Sequence, residues 1–431
     1  MHHRRTFFKY VIPSIIAFAL SGVYAIIDGF FVGNTIGDMG LSAINMAYPV
    51  VALIQAVGTG IGMGAAVYYA IHLASGDKET AENFAGMAWW LLILSSIILS
   101  FILYFFAMPL LKTLGMQKEL LRYGMDYIQI IALGALLQVL GTGLIPLMRN
   151  YGGSFMAMIA MVSGFITNIA LDYLFVWQIG YGIKGAALAT IIGQGVTVFI
   201  AITNSLYKHC FYIKTSLSRA PYLIKSICKV GLAPFGLALT PNISLVIVNK
   251  FSMLYGGEIA IATYACIEYI ICIIYLVLQG VGDGIQPLLS RYYGEKNTTV
   301  LQSTRKMAYG FALLLAFIGC ISMYLGRWHI GQLFGASYQV NIQTGKAMPI
   351  FLLSIPFVAI TRVATASFYA TEKHVLSYIL TFVEPVFMFV LMLILPLLYP
   401  EQIMIWWSTT LARMASALLA IVLQKRISKI L

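Results

Sequence analysis

The chain has 431 residues, of which 60% are hydrophobic and only 10% charged, with a formal net charge of +12 and a mean hydropathy of +0.88. That composition excludes a soluble globular domain. The positive charge does not indicate nucleic acid either, because Lys and Arg gather in alternate loops rather than on one face.

Apolar runs of twenty or more residues recur along the chain, the length a helix needs to cross about 30 Å of hydrocarbon. A transmembrane barrel would need short alternating segments, and none is apparent. The first predicted span, 7–32, follows His2, His3, Arg4 and Arg5 and carries Asp28 near its end. Too few residues precede it for a cleavable signal, so it is expected to be retained. Span 42–73 holds Gly58, Gly60, Gly62 and Gly64, and spans 84–111 and 120–148 follow. Span 155–178 holds Asn168 and Asp172, and span 185–206 closes the first half. A basic segment from Lys208 to Lys229 leads to spans 223–253 and 259–289, the second with Glu268 and Asp283. The last four are 304–325, then 346–370 with Arg362, 375–398 with Glu384, and 402–424 with Arg413. The expected fold is all-α, a polytopic membrane protein of twelve transmembrane helices in the lipid bilayer.

With a cytoplasmic N-terminus, eighteen Lys and Arg residues fall inside, Lys429 among them, and six outside. This bias predicts that both termini face the cytoplasm. The loop with Lys112, Lys118 and Arg122 runs against it.

The halves resemble each other. Lys9 precedes Pro13 as Lys229 precedes Pro234; Gly62-Met-Gly64 precedes Gly76-Asp77-Lys78 at the interval separating Gly280-Val-Gly282 from Gly294-Glu295-Lys296. Six crossings separate the copies, so they share one orientation and are related by an axis along the membrane normal. Two pseudo-symmetric six-helix bundles are expected, residues 1–206 and 223–431, joined by a linker at 207–222. Such duplication suits a carrier that exposes a central site alternately to each side.

Carboxylates inside spans are expensive and are functional candidates by default. In Asn168-Ile-Ala-Leu-Asp172 a spacing of four puts amide and carboxylate on one helical face. A carboxylate with neutral oxygens suits a small cation, and a carboxylate in an apolar wall holds a proton more tightly. Asp28 on another helix is a second acid for such a pair, while hydrogen bonding of Asp172 for packing alone is the structural alternative.

Asn168-Ile-Ala-Leu-Asp172-Tyr-Leu-Phe with Gly182-Ile-Lys-Gly185-Ala-Ala-Leu-Ala-Thr190 resembles helices five and six of the multidrug and toxic compound extrusion family. Val23-Tyr-Ala-Ile-Ile-Asp28-Gly-Phe-Phe-Val-Gly33-Asn34 resembles its first helix, and Gly76-Asp77-Lys78 its loop between helices two and three. The resemblance implies that Asp28, Asn168, Asp172 and Thr190 bind a coupling H⁺ or Na⁺ and that occupancy bends or shifts helix one. It also implies secondary active efflux of small organic cations from the cell, across the cytoplasmic or inner membrane, by a protein with no cofactor, expected to be monomeric. The family's other acidic site, a Glu on helix seven and an Asp on helix ten, has no counterpart here, since Leu223 to Met253 has no carboxylate and helix ten carries Arg362. Glu268, Glu384 and Arg362 are candidates for substrate contact, with pairing to arginine as the alternative for the two acids. The rival transport reading is a flippase of lipid-linked oligosaccharides, whose sites need more cations than Arg362, Arg413 and Lys250. No helical metal-ligand pair, Asp-rich phosphate loop or nucleophile motif marks an enzyme.

Overall fold

The computed structural model describes residues 2–334 and 336–428; Lys429, counted above among the inside cations, lies outside the described residues. Among these the regular structure is helical, with no strand. Helix α1 is His2–Ile36, α2 is Asp38–Ala74 and α3 is Lys78–Phe105. Helix α4 is a pair, Lys118–Leu133 and Ala135–Asn150, bent by 59°. Helix α5, Ser154–Asp172, continues as a π-helical turn, Tyr173–Gln178, and α6 is Gly182–Tyr207. A 75-residue stretch, Ala220–Gly294, is broken at Gly257 into α7 (220–256) and α8 (258–294). Then come α9, Thr298–Gly326; α10, a pair bent by 45°, Tyr338–Leu352 and Ile355–Ala370; α11, His374–Leu398; and α12, Gln402–Ser428. Nine helices among the described residues are long and apolar enough to cross a membrane, or eleven with each bent pair as one span. The break at Gly257 divides one of these in two, which gives the twelve.

The helices differ from the predicted spans at their ends and bends. Gly134 sits in the α4 bend, where a Cβ would meet the Ile191 side chain at 2.3 Å, and Pro356 opens the second segment of α10. Glycine and proline are the usual sites of such kinks. Gly257 has φ +64° and ψ −158°, a region closed to side chains with a Cβ, at about 1–3 kcal/mol for any other residue. Gly257→Ala is therefore expected to lower stability by about that amount, read from unfolding of the purified protein in detergent.

The structure corrects the register of the repeat. Helix α2 ends at Ala74 and turns at Gly76, whereas α8 stays helical through Gly294 and makes its positive-φ turn at Lys296. Gly76 thus corresponds to Lys296 rather than Gly294, and the match becomes Gly60, Gly62 and Gly64 with Gly280, Gly282 and Gly284. The packing agrees. Gly62 lies against Gly143 of α4, as Gly282 lies against Arg362 and Ala366 of α10, the fourth helix of the second half. The sequence reading missed this because the fixed Gly-to-Gly interval hides a two-residue difference in where the helix stops. Asp77 caps α3 by accepting from the Thr80 amide at 3.1 Å, and the Thr80 hydroxyl and amide hold its carboxyl below the usual carboxylate range.

Two compact units result, Met1–Leu239 with Ser290–Asn297, and Thr240–Leu289 with Thr298–Leu431. The boundary between these units runs through α7 and α8. Within the first unit, a Cβ on Gly231 of α7 would lie 2.2 Å from the Gly60 carbonyl, and one on Gly294 would lie 2.3 Å from that of Ile71. Such close backbone approach, which small residues permit, is how helices associate where lipid removes the hydrophobic drive. Residues 213–216 are strapped to α3: Trp90 Nε1 donates to the Ile213 carbonyl at 3.1 Å and the Ser216 amide to Asn83 Oδ1 at 2.7 Å. In the second unit Ala364, Phe368, Leu380 and Ala420 form a core of α10, α11 and α12, with Tyr309 of α9 packed on it.

Candidate cation site and the charged cluster of the second unit

In the first unit α1 packs on α5, and α5 on α6. The α5–α6 crossing is set by two glycines: a Cβ on Gly193 would meet the Gly164 carbonyl at 2.7 Å and Asn168 Cβ at 3.1 Å. Gly164 is one turn before Asn168 and Gly193 nearly one turn after Thr190, so the crossing brings these two side chains together. Asn168 Nδ2 donates to Thr190 Oγ1 at 3.4 Å, a long hydrogen bond, while that hydroxyl donates to the Ala186 carbonyl at 3.0 Å.

Asp172 is fully buried, Asn168 nearly so, and Asp28 half-buried. The Asp28 and Asp172 carboxyl groups lie within hydrogen-bonding reach of each other. Both oxygens of Asp172, one of Asp28 and Asn168 Oδ1 are sealed and take no hydrogen bond in the protein. Ionised carboxylates are acceptors only, and buried acceptors left unpaired are costly. Four acceptor oxygens without donors, converging from α1 and α5, form a pocket that lacks a positive charge. A proton shared by the acids or a small cation among the oxygens would satisfy it. The four residues predicted for this site are thus brought together.

The sequence reading missed several neighbours. Tyr24, one turn before Asp28 on the same face of α1, reaches the Thr190 hydroxyl and stacks on Phe165 at 5.1 Å; its spacing from Asp28 was an available signal. Tyr127 of α4, buried beside both acids, had no such signal. Asp172 is the last α-helical residue before the π turn, a widened geometry common at functional sites. That turn carries Tyr173 and Trp177, against which Phe31 packs edge-on at 6.4 and 6.1 Å and Phe30 stacks on Trp177 at 6.3 Å. The C-terminal end of α1 therefore rests on aromatic rings just beyond the acids.

Among the described residues the second unit lacks this site. In the corrected register Val248, Met388 and Met392 stand where Asp28, Asn168 and Asp172 stand, and all three are fully buried. Its charges lie elsewhere. Arg413 Nε donates to Glu384 Oε1 at 3.2 Å, Nη1 to Ser354 Oγ at 3.3 Å, and the guanidinium lies 4.9 Å from the Tyr275 ring centre. Glu268 accepts from Tyr264 and leaves Oε2 buried without a partner. Asp283 accepts from Gln279 at 2.7 Å. Glu384 is thus paired, whereas Glu268 and Arg362 are not joined to an opposite charge.

Twelve apolar spans in two similar halves, with acids buried among them, define a polytopic membrane transporter rather than an enzyme. The MatE family profile matches residues 13–174 and 235–394, and the chain belongs to that family. It is 25% identical over 369 residues to the multidrug export protein MepA of Staphylococcus haemolyticus, covering 84% of this chain and 80% of the relative. The fold is similar to that of a solved outward-facing multidrug resistance MATE family transporter, with a TM-score of 0.92 at 22% identity over 99% of this chain and 96% of the other. It is equally similar, at the same score, identity and coverage, to a transporter of the MOP superfamily from Pyrococcus furiosus described as having a binding pocket of reversed polarity.

Proposed function

We propose that the chain is a multidrug efflux carrier that expels small organic cations across the cell membrane in exchange for H⁺ or Na⁺, by alternating access of the two halves. The observation that carries this reading is the pairing of Asp28 and Asp172 with unpartnered oxygens, beside Asn168 and Thr190. The similarity to a multidrug export protein of Staphylococcus supports the export role. The inside excess of Lys and Arg supports cytoplasmic termini.

Coupling follows from the electrostatics. With a cation or shared proton present, the two acids attract the same charge and draw α1 onto α5. Without it, two carboxylates in contact repel, which works against the Phe30 and Phe31 contacts on the π turn that hold the end of α1. Occupancy therefore shifts α1 between two positions, and a ligand moves such an equilibrium by its difference in affinity for the two. The two acids are this chain's charge-bearing residues at the step; Asn168 and Thr190 supply neutral oxygens that a sodium ion needs and a proton does not.

Purified protein in liposomes, given a pH gradient alone and then a Na⁺ gradient alone, is expected to move ethidium against its concentration with one of the two. No movement of a broad set of organic cations under either gradient would overturn the reading.

A further inference from the structure

Where α4 turns into α5 in the first unit, hydrogen-bond donors are left over. The carbonyls that finish α4 are taken: the amides of Tyr151, Gly153 and Gly152 donate to Leu147, Met148 and Arg149, and Lys208 Nζ donates to the Tyr151 carbonyl at 3.2 Å. Helix α5 then starts at Ser154 with no side-chain cap. The amides of Ser154, Phe155 and Met156 take no acceptor among the described residues. Two buried side chains add to them. Asn204 of α6, 6% exposed, leaves Nδ2 without an acceptor, and Ser154, 5% exposed, leaves Oγ unpaired.

These groups converge on Gly153. A Cβ there would lie 3.3 Å from Asn204 Nδ2 and 3.4 Å from Lys208 Nζ, so an amide and an ammonium flank the start of α5. Lys208 is half-buried and forms no ion pair among the described residues, and the neighbouring Gly152 is exposed. The start of a helix favours an anion, and an ammonium is a point charge suited to phosphate oxygens.

The second unit fills the matching place from within. In the corrected register Gly152, Gly153, Ser154 and Asn204 correspond to Glu372, Lys373, His374 and Gln424, and the turn keeps a positive φ, 58° at Glu372 against 75° at Gly152. Long side chains thus stand where the first unit has two glycines, and one of them is an acid. Gln424 is hydrogen-bonded to Tyr309 of α9, and Ser428 stands in the position of Lys208.

We propose that this end of α5 binds a phosphate group, supplied by the headgroup of an anionic phospholipid in the cytoplasmic leaflet. Lys208, Asn204 and the first amides of α5 hold the phosphate. The lipid source is favoured because Phe155, Leu206 and Tyr207 beside the site are exposed, apolar and aromatic side chains that suit the border between hydrocarbon and headgroups. Basic sites between helices on the cytoplasmic side recognise such headgroups.

The test uses the full chain in detergent and three probes: dioleoylphosphatidylglycerol, dioleoylglycerol, which has the same chains and no phosphate, and inorganic phosphate. Binding is followed by native mass spectrometry. Lys208→Gln is expected to weaken phosphatidylglycerol about tenfold, while Lys225→Gln, at an exposed lysine of α7, changes it less than about twofold. Lys208→Arg keeps most of the binding, and Asn204→Leu loses part of it. In the wild type, phosphatidylglycerol slows acylation of the Lys208 amine relative to Lys225, read by peptide mass spectrometry, and dioleoylglycerol does not. Equal weakening by Lys208→Gln and Lys225→Gln, or equal protection by the two lipids, overturns the site. Protection of Lys208 by inorganic phosphate but not by phosphatidylglycerol overturns the lipid source and assigns the site to a soluble phosphate.

Discussion

Asp172→Asn is expected to reduce gradient-driven export by about 100-fold, the upper range of a coupling free energy between two sites, while the protein stays folded. The substitution keeps shape and volume and removes the charge that one proton or sodium ion would neutralise. Asp172 has no exposed surface and both its oxygens lack donors, so nothing but its partner acid and the transported ion answers that charge. Asp28→Asn is expected to act in the same direction. Neither variant should unfold more readily than the wild type, since each relieves the repulsion between two carboxyl groups in contact. Unchanged coupled transport by either variant in liposomes would sink the assignment of this site. Thr190→Ala separates the two ions: it weakens a sodium site that uses its oxygen and leaves a proton shared by the acids nearly undisturbed.

The second large effect lies in the other unit. Arg413→Met should cost about 3 kcal/mol, the lower end for breaking a buried ion pair by removing one partner. The lower end applies because the Glu384 side chain keeps 24% of its surface exposed against 5% for Arg413. The arginine joins four helices through Glu384 on α11, Ser354 on α10, Tyr275 on α8 and its own place on α12. Most of the loss comes from leaving Glu384 unpaired, not from the attraction itself. The double variant Arg413→Met with Glu384→Gln is therefore expected to recover most of the stability, and a double-mutant cycle in denaturant measures the remainder. If the double variant is as unstable as Arg413→Met alone, the ion pair is not what holds these helices.

Much of the molecule was legible because the bilayer imposes strong rules on sequence. Twenty apolar residues can be satisfied in hydrocarbon only as a helix, so the spans declared themselves, and Asn168 and Asp172 share a face by spacing alone. Asp28 stood out because an acid in such a span is rare. Its partnership with Asp172 was one option for a second acid from another helix, and the family resemblance is what made it specific. Pairing of Glu384 with arginine was one of two alternatives, and spacing did not separate them because the partners lie on different helices.

By itself, then, the sequence determined the number of helices, their duplication and the scarce acids, since each depends on local composition or on a period along one helix. The tertiary structure decided the register of the repeat, the compact units that cut across α7 and α8, the π turn beneath Asp172 and the unequal pairing of charges in the second unit. Those depend on where helices stop, bend and cross. A Gly-to-Gly interval is blind to whether the chain is still helical at Gly294, and no spacing along α10 reveals that Arg362 is left without an acid.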